Sequence, residues 1–116
     1  YNGILKLEVI IMVKHIKTTN EFDSIIRENH IVIVDFFANW CSPCRMMGPV
    51  LDEVSAEYPE WTAVKVDCDT LQELAFRFGV SSIPHFEVIV DGKSVGNIVG
   101  AREKEIFVKD IENLLK

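Results

Sequence analysis

The stretch Ile31-Val-Ile-Val-Asp-Phe-Phe-Ala-Asn-Trp-Cys-Ser-Pro-Cys44 constrains this chain more than any other. From Ile31 to Phe37 every residue except Asp35 is apolar, with no alternation. A strand that is apolar on both faces belongs inside a sheet covered by helices on either side. Beyond it, Cys41 and Cys44 are separated by Ser42-Pro43, which reads as the first turn of a helix. Proline is accommodated there because the amide it lacks has no helical partner. The end of a core strand therefore delivers two sulfurs to a helix N-terminus.

A chain of 116 residues fits one domain with a real core. Hydrophobic residues at 48% and charged ones at 26% describe an ordinary globular protein. A net charge of -6 argues against nucleic acid or an anionic membrane as the main partner. Three cysteines are an odd number and no disulfide framework. That usage suits a reducing compartment, the cytoplasm or an organelle, where a close pair is more often redox-active or metal-binding than structural. Ile4 to Val13 is mostly apolar but holds Lys6 and Glu8, is too short to span a membrane, and is followed by no secretory cleavage site. Met12 is expected to be the natural start, with residues 1–11 an N-terminal extension or added remnant and residues 12–116 the domain. The other reading of residues 1–11 is an extra strand.

From Met12 the chain alternates strand and helix. Val13 to Ile16 is a short strand. Thr18 and Glu21 form a capping box ahead of Phe22, Ile25 and Ile26 at helical spacing. The cysteine helix carries Met47, Val50, Leu51 and Val54, with a kink expected at Gly48-Pro49. Ala63 to Cys68 reads as a strand. Thr70 and Glu73 suggest a second capping box, before a helix that Gly79 ends. Phe86 to Val90 and Ser94 to Val99 flank Asp91-Gly92, a strong hairpin signal. A last helix over about 102–115 buries Phe107, Ile111 and Leu114. The sum is an α/β chain with a mixed sheet and helices on both faces.

The cysteine pair is suited to opening and closing rather than to stapling. Chain entropy gives roughly 2 kcal/mol for so small a loop, against about 3 for fifteen residues. Only a thiolate attacks a disulfide, and an unperturbed thiol near ~8.5 is about 3% ionised at pH 7. A helix N-terminus stabilises an anion by roughly 1 kcal/mol, close to one pKa unit. Cys41, just ahead of the helix, is expected to be the exposed attacker. Cys44, one turn in and facing the core, is expected to resolve the mixed disulfide.

Trp40-Cys41-Ser42-Pro43-Cys44, following Val34-Asp35-Phe36, resembles the active site of the thioredoxin family, and the similarity runs from Met12 to Lys116. It implies a thioredoxin fold. It also implies that Asp35 is the buried carboxylate that trades a proton with the inner cysteine, and that Lys65 is the lysine beside it. Ile83-Pro84 would be the cis-proline loop opposite the cysteines, and Val99-Gly100-Ala101 the remaining wall of a substrate groove that Trp40, Ser42 and Pro43 also border. The resemblance further implies disulfide-containing protein substrates and a thioredoxin reductase as partner. NADPH would then act only through that flavoprotein, or a ferredoxin-linked reductase would serve in some organelles. A monomer with no bound cofactor is expected.

Several of these residues also carry a plainer reading. Asp35 in an apolar strand is costly when charged, so its pKa should rise towards a range useful for proton transfer; alternatively it is a core acid satisfied by Lys65. Pro84 also fits an ordinary turn, and Trp40 fits simple packing. Ser42 stands where the family most often has Gly, and His85 where Thr is more usual; His85 either tunes the sulfurs or is a solvent-facing strand-end residue. Glu87 is read as pointing outward. Cys68 reads as a small buried hydrophobe, with a regulatory thiol as the alternative. A zinc site would have to draw on Cys68 with His15, His30 or His85, because one cysteine pair supplies only half the ligands. A thioredoxin-like binding or chaperone module with little turnover is the other class. An oxidase or isomerase usually has His in the spacer, where this chain has Ser42-Pro43. The reading adopted is a protein-disulfide reductase working through Cys41 and Cys44.

Overall fold

The strand Ile31–Phe37 is the middle of a five-stranded sheet, as its apolar run requires. The computed structural model describes residues 13–116; the expectation about residues 1–11 and Met12 lies outside them. In chain order the elements are β1 (Lys14–His15), α1 (Thr19–Glu28), β2 (Ile31–Phe37), α2 (Ser42–Glu57), β3 (Trp61–Asp67), α3 (Gln72–Arg77), β4 (His85–Val90), β5 (Lys93–Val99) and α4 (Lys104–Leu114). The sheet order is β1-β3-β2-β4-β5, parallel from β1 to β2 and antiparallel from β2 to β5.

The two faces bury separate cores. Ile33, Phe86 and Val88 pack with Met47, Leu51 and Val54 of α2 and with Phe107 and Ile111 of α4. Val32, Val34, Phe36 and Ile89 pack with Phe22 of α1 and Leu74 of α3. Helices on both faces are what a strand without alternation demands.

Local signals account for most boundaries. The Thr18 hydroxyl accepts from the Glu21 amide at 3.0 Å, while Glu21 accepts from the Lys17 amide at 2.7 Å, one residue before the cap. The helix α2 runs as one element through Pro49. The second expected capping box does not form. Asp67 closes that turn instead, its carboxylate accepting from the Asp69 amide and its carbonyl from the Leu71 amide, so α3 starts later with Leu71 as an uncapped N-cap. The hairpin turn has φ of 51° at Asp91 and 82° at Gly92, the left-handed pair that a two-residue connection of twisted strands needs.

Candidate active site

Cys41 is the N-cap of α2, in extended backbone with φ −88° and ψ 108°. That departure from helical geometry brings its sulfur within reach of Cys44, and the two are joined in a disulfide with Cα atoms 5.3 Å apart. The Cys44 amide donates to Cys41 Sγ at 3.3 Å. An unpartnered amide of the first helical turn therefore points at the sulfur, where it favours negative charge.

One expectation is corrected here. Cys41 is 4% exposed and Cys44 3%, so the outer sulfur is not open to solvent. Phe37, Ala38 and Ile83 pack around the pair, and Cys41 Sγ lies 3.8 Å from the Ile83 carbonyl oxygen. The cover comes from a loop some forty residues later in the chain, which no local pattern around Cys41 encodes.

That loop and its neighbours form one rim. The Ile83–Pro84 peptide is cis. The Gly100 amide donates to the Pro84 carbonyl at 2.9 Å, which joins the proline loop to Val99-Gly100-Ala101. Trp40 is 70% exposed, with its indole N–H donating to Asp69 at 2.9 Å. Ser42 and Pro43 are exposed at the start of α2. Contacts thus tie Ile83 to Cys41 and Gly100 to Pro84, while Trp40, Ser42 and Pro43 adjoin the cysteines along the chain.

Two residues of this rim lay beyond the sequence reading. Asp69 holds Trp40 from 29 positions away. Arg102 holds the wall: its guanidinium donates to the carbonyls of Val99 and Gly100 and, at 2.8 Å, to Asp110 of α4. Its place directly after Ala101 was the one signal available for it.

On the face of the sheet turned towards the cysteine helix, Asp35 is 1% exposed. Neither of its oxygens has a hydrogen-bond donor among the described residues, and the Lys65 ammonium is 3.9 Å away, at ion-pair distance only. Burial pushes its pKa up from 3.8 to about 6, against the opposing pull of Lys65. His15, Lys65 and Asp35 align across three parallel strands and so project to one face of the sheet. Beside that row lies a cavity of about 170 Å³ lined by His15, Phe37, Ala38, Cys44, Arg45 and Lys65, with room for several waters at about 30 Å³ each.

His85 and Glu87 also differ from expectation. Both are buried, on the opposite face of β4 from Phe86 and Val88. Glu87 points inward because it has donors there: His85 at 2.6 Å and the Ser94 hydroxyl. The His85 ring also meets Phe36 edge-on with centroids 5.6 Å apart. Cys68 is half-buried; burial, with the carboxylates of Asp67, Asp69 and Asp35, pushes its thiol up to about 11, away from reactivity.

The thioredoxin family model matches residues 13–113. Thioredoxin 1 of Plasmodium falciparum is 41% identical over 95 residues, 82% of this chain and 91% of that protein. Thioredoxin of Chlamydia muridarum is 45% identical over 98 residues, 84% of this chain and 94% of that protein. Among solved structures, Plasmodium falciparum thioredoxin superposes with a TM-score of 0.82 at 40% identity, covering 87% of this chain and 98% of that one. Oxidised mitochondrial thioredoxin 3 of Saccharomyces cerevisiae gives 0.82 at 31% identity, covering 90% and 98%.

Proposed function

The chain belongs to the thioredoxin family and is a thiol–disulfide oxidoreductase, and from that premise we propose that it reduces protein disulfides with Cys41 as nucleophile and Cys44 as resolving thiol. The observation that carries the assignment of roles is the amide of Cys44 donating to the sulfur of Cys41. It favours the thiolate at Cys41 and leaves Cys44 in the apolar interior, where ionisation needs a base.

The steps follow. Cys41 thiolate attacks a substrate disulfide, forming a mixed disulfide and releasing one substrate thiolate, which takes a proton from solvent. Cys44 gives its proton to the Asp35 carboxylate. Its thiolate then attacks Cys41 Sγ, breaks the bond to substrate, and leaves the Cys41–Cys44 disulfide. Two electrons pass from the cysteine pair to the substrate. Lys65 keeps Asp35 from rising so far that it stays protonated.

Trp40, Ser42, Pro43, Ile83, Pro84 and Val99-Gly100-Ala101 form the surface on which the substrate docks, with the Ile83 backbone offered for strand-like pairing. Because Cys41 is sheltered, a docked segment that presents its disulfide to the sulfur is favoured over a bulky disulfide that does not dock. A thioredoxin reductase drawing on NADPH, or a ferredoxin-linked one, restores the dithiol. Family membership supports this partner.

The test is insulin reduction coupled to thioredoxin reductase and NADPH, alongside trapping with Cys44→Ser. The expected result is NADPH oxidation that requires both cysteines, and a dithiothreitol-sensitive covalent complex through Cys41 in the trap variant. Insulin left intact by the wild-type protein, even with dithiothreitol as reductant, would overturn the assignment.

A further inference from the structure

The rim around the disulfide does not end at Ala101. On its far side lies a cavity of about 330 Å³ lined by Met46, Met47, Val50, Ala101, Arg102 and Glu103. Four of these are apolar, and the two charged ones carry opposite signs, so the cavity has no net attraction for an ion. Its volume is at the low end of the roughly 300–1,000 Å³ of ligand pockets, ample for one large apolar side chain.

Its position is fixed by the catalytic element itself. Met46 follows Cys44 by two residues on α2 and is 69% exposed, although it is among the larger apolar side chains of the chain. Thioether side chains adapt their shape to varied apolar partners. Ala101 belongs both to this cavity and to the groove wall, so the two surfaces are continuous. Arg102 fixes them relative to each other. Its guanidinium grips the carbonyls of Val99 and Gly100, and its amide donates to the sulfur of Met47, a side chain of the cavity, at 3.4 Å. The wall is therefore tied to the cysteine helix through Met47.

We propose that this cavity is a side-chain subsite, which takes a large apolar residue (Leu, Met or Phe) flanking the reacting cysteine of a protein substrate, with Met46 as specificity-determining residue and Arg102 as positioning residue. The inference rests on the reading of the chain as a protein-disulfide reductase and adds a preference among its substrates. Docking the residue beside the cysteine would align the disulfide with the sheltered Cys41 sulfur, which a small soluble disulfide reaches without the subsite.

The experiment uses the full chain with a set of disulfide-linked peptides. They carry Leu or Ser at each of the two positions on either side of the reacting cysteine, and dithiobis(nitrobenzoate) is the small disulfide. At one of these positions kcat/KM should favour Leu over Ser by about tenfold, the effect of burying much of one Leu side chain. Met46→Ser, at an exposed site that does not endanger folding, should narrow that ratio to about threefold and leave the small disulfide unchanged. Arg102→Met should raise KM for the Leu peptide more than it lowers kcat, and Arg102→Lys should recover part of the loss. A wild-type enzyme that reduces every peptide equally well would overturn the subsite while leaving the reductase reading intact. Equal losses on peptides and the small disulfide in Met46→Ser would overturn it too. Failure of the wild-type protein to reduce any of the peptides would count against the reductase reading itself.

Discussion

Asp35 and Glu87 sit on neighbouring strands of one sheet, 1% and 4% exposed, and face opposite ways. Glu87, on the side of α1 and α3, meets the His85 ring and the Ser94 hydroxyl. Asp35, on the side of the cysteine helix, meets no donor among the described residues and only a distant ammonium. Burial alone therefore does not make an acid useful for proton transfer. What differs is the supply of hydrogen bonds: a carboxylate that is given donors becomes part of the frame, and one denied them has its pKa pushed up towards neutrality, to about 6.

The strongest way to break this comparison is Asp35→Asn. Attack by Cys44 should slow by tenfold or more, at the lower edge of the ~10²–10⁴ that positioned acid–base groups contribute. The second release of thionitrobenzoate from dithiobis(nitrobenzoate) measures that step. The same variant should be more stable near neutral pH. Asp35 holds its proton more tightly when folded, near 6, than when unfolded, near 3.8. Stability from this group is therefore present below about pH 4 and is lost as pH rises to about 6. The penalty above that is on the order of 3 kcal/mol, which Asn removes. Urea midpoints at about pH 4 and near neutrality would show it: a gain at neutrality that vanishes in acid.

Glu87→Leu should do the reverse. It leaves the buried His85 without its partner and should cost about 2 kcal/mol, with turnover of the folded protein within about twofold of wild type. A large loss of turnover without a loss of stability would mean that Glu87 serves the chemistry after all. Ser94→Ala should cost least, about 1 kcal/mol, because the serine is exposed and Glu87 keeps its bond to His85. Lys65→Met sharpens the contrast without a rate of its own. It removes the charge that lowers the Asp35 pKa, so the pH dependence of the Cys44 step should move upward.

These two acids also mark where the sequence could be read and where it could not. The central strand, the cysteine turn and the Asp91-Gly92 hairpin are local matters, and the structure places them as their residues indicate. Asp35 announces itself as one polar residue in an unbroken apolar run. Glu87 does not, because Phe86 and Val88 on either side mimic the alternation of a strand with one wet face. The strand β4 is covered on both faces, and the donors that admit Glu87 come from β5 and from the residue two places before it. The shelter over Cys41 was hidden for the same reason, since it depends on the distant Ile83-Pro84 loop. Arg102 escaped notice because guanidinium contacts to backbone carbonyls leave no periodic trace.

The cavity behind Cys44 shares no lining residue with the rim of Trp40, Pro84 and Ala101. If the proton of the proposed Cys44 step leaves on this side, a bulky protein and a small molecule bound at the rim should both leave its path open. Large and small disulfides should then show one common acid limb in their rates, and acid limbs that part with substrate size would show that the proton leaves through the front.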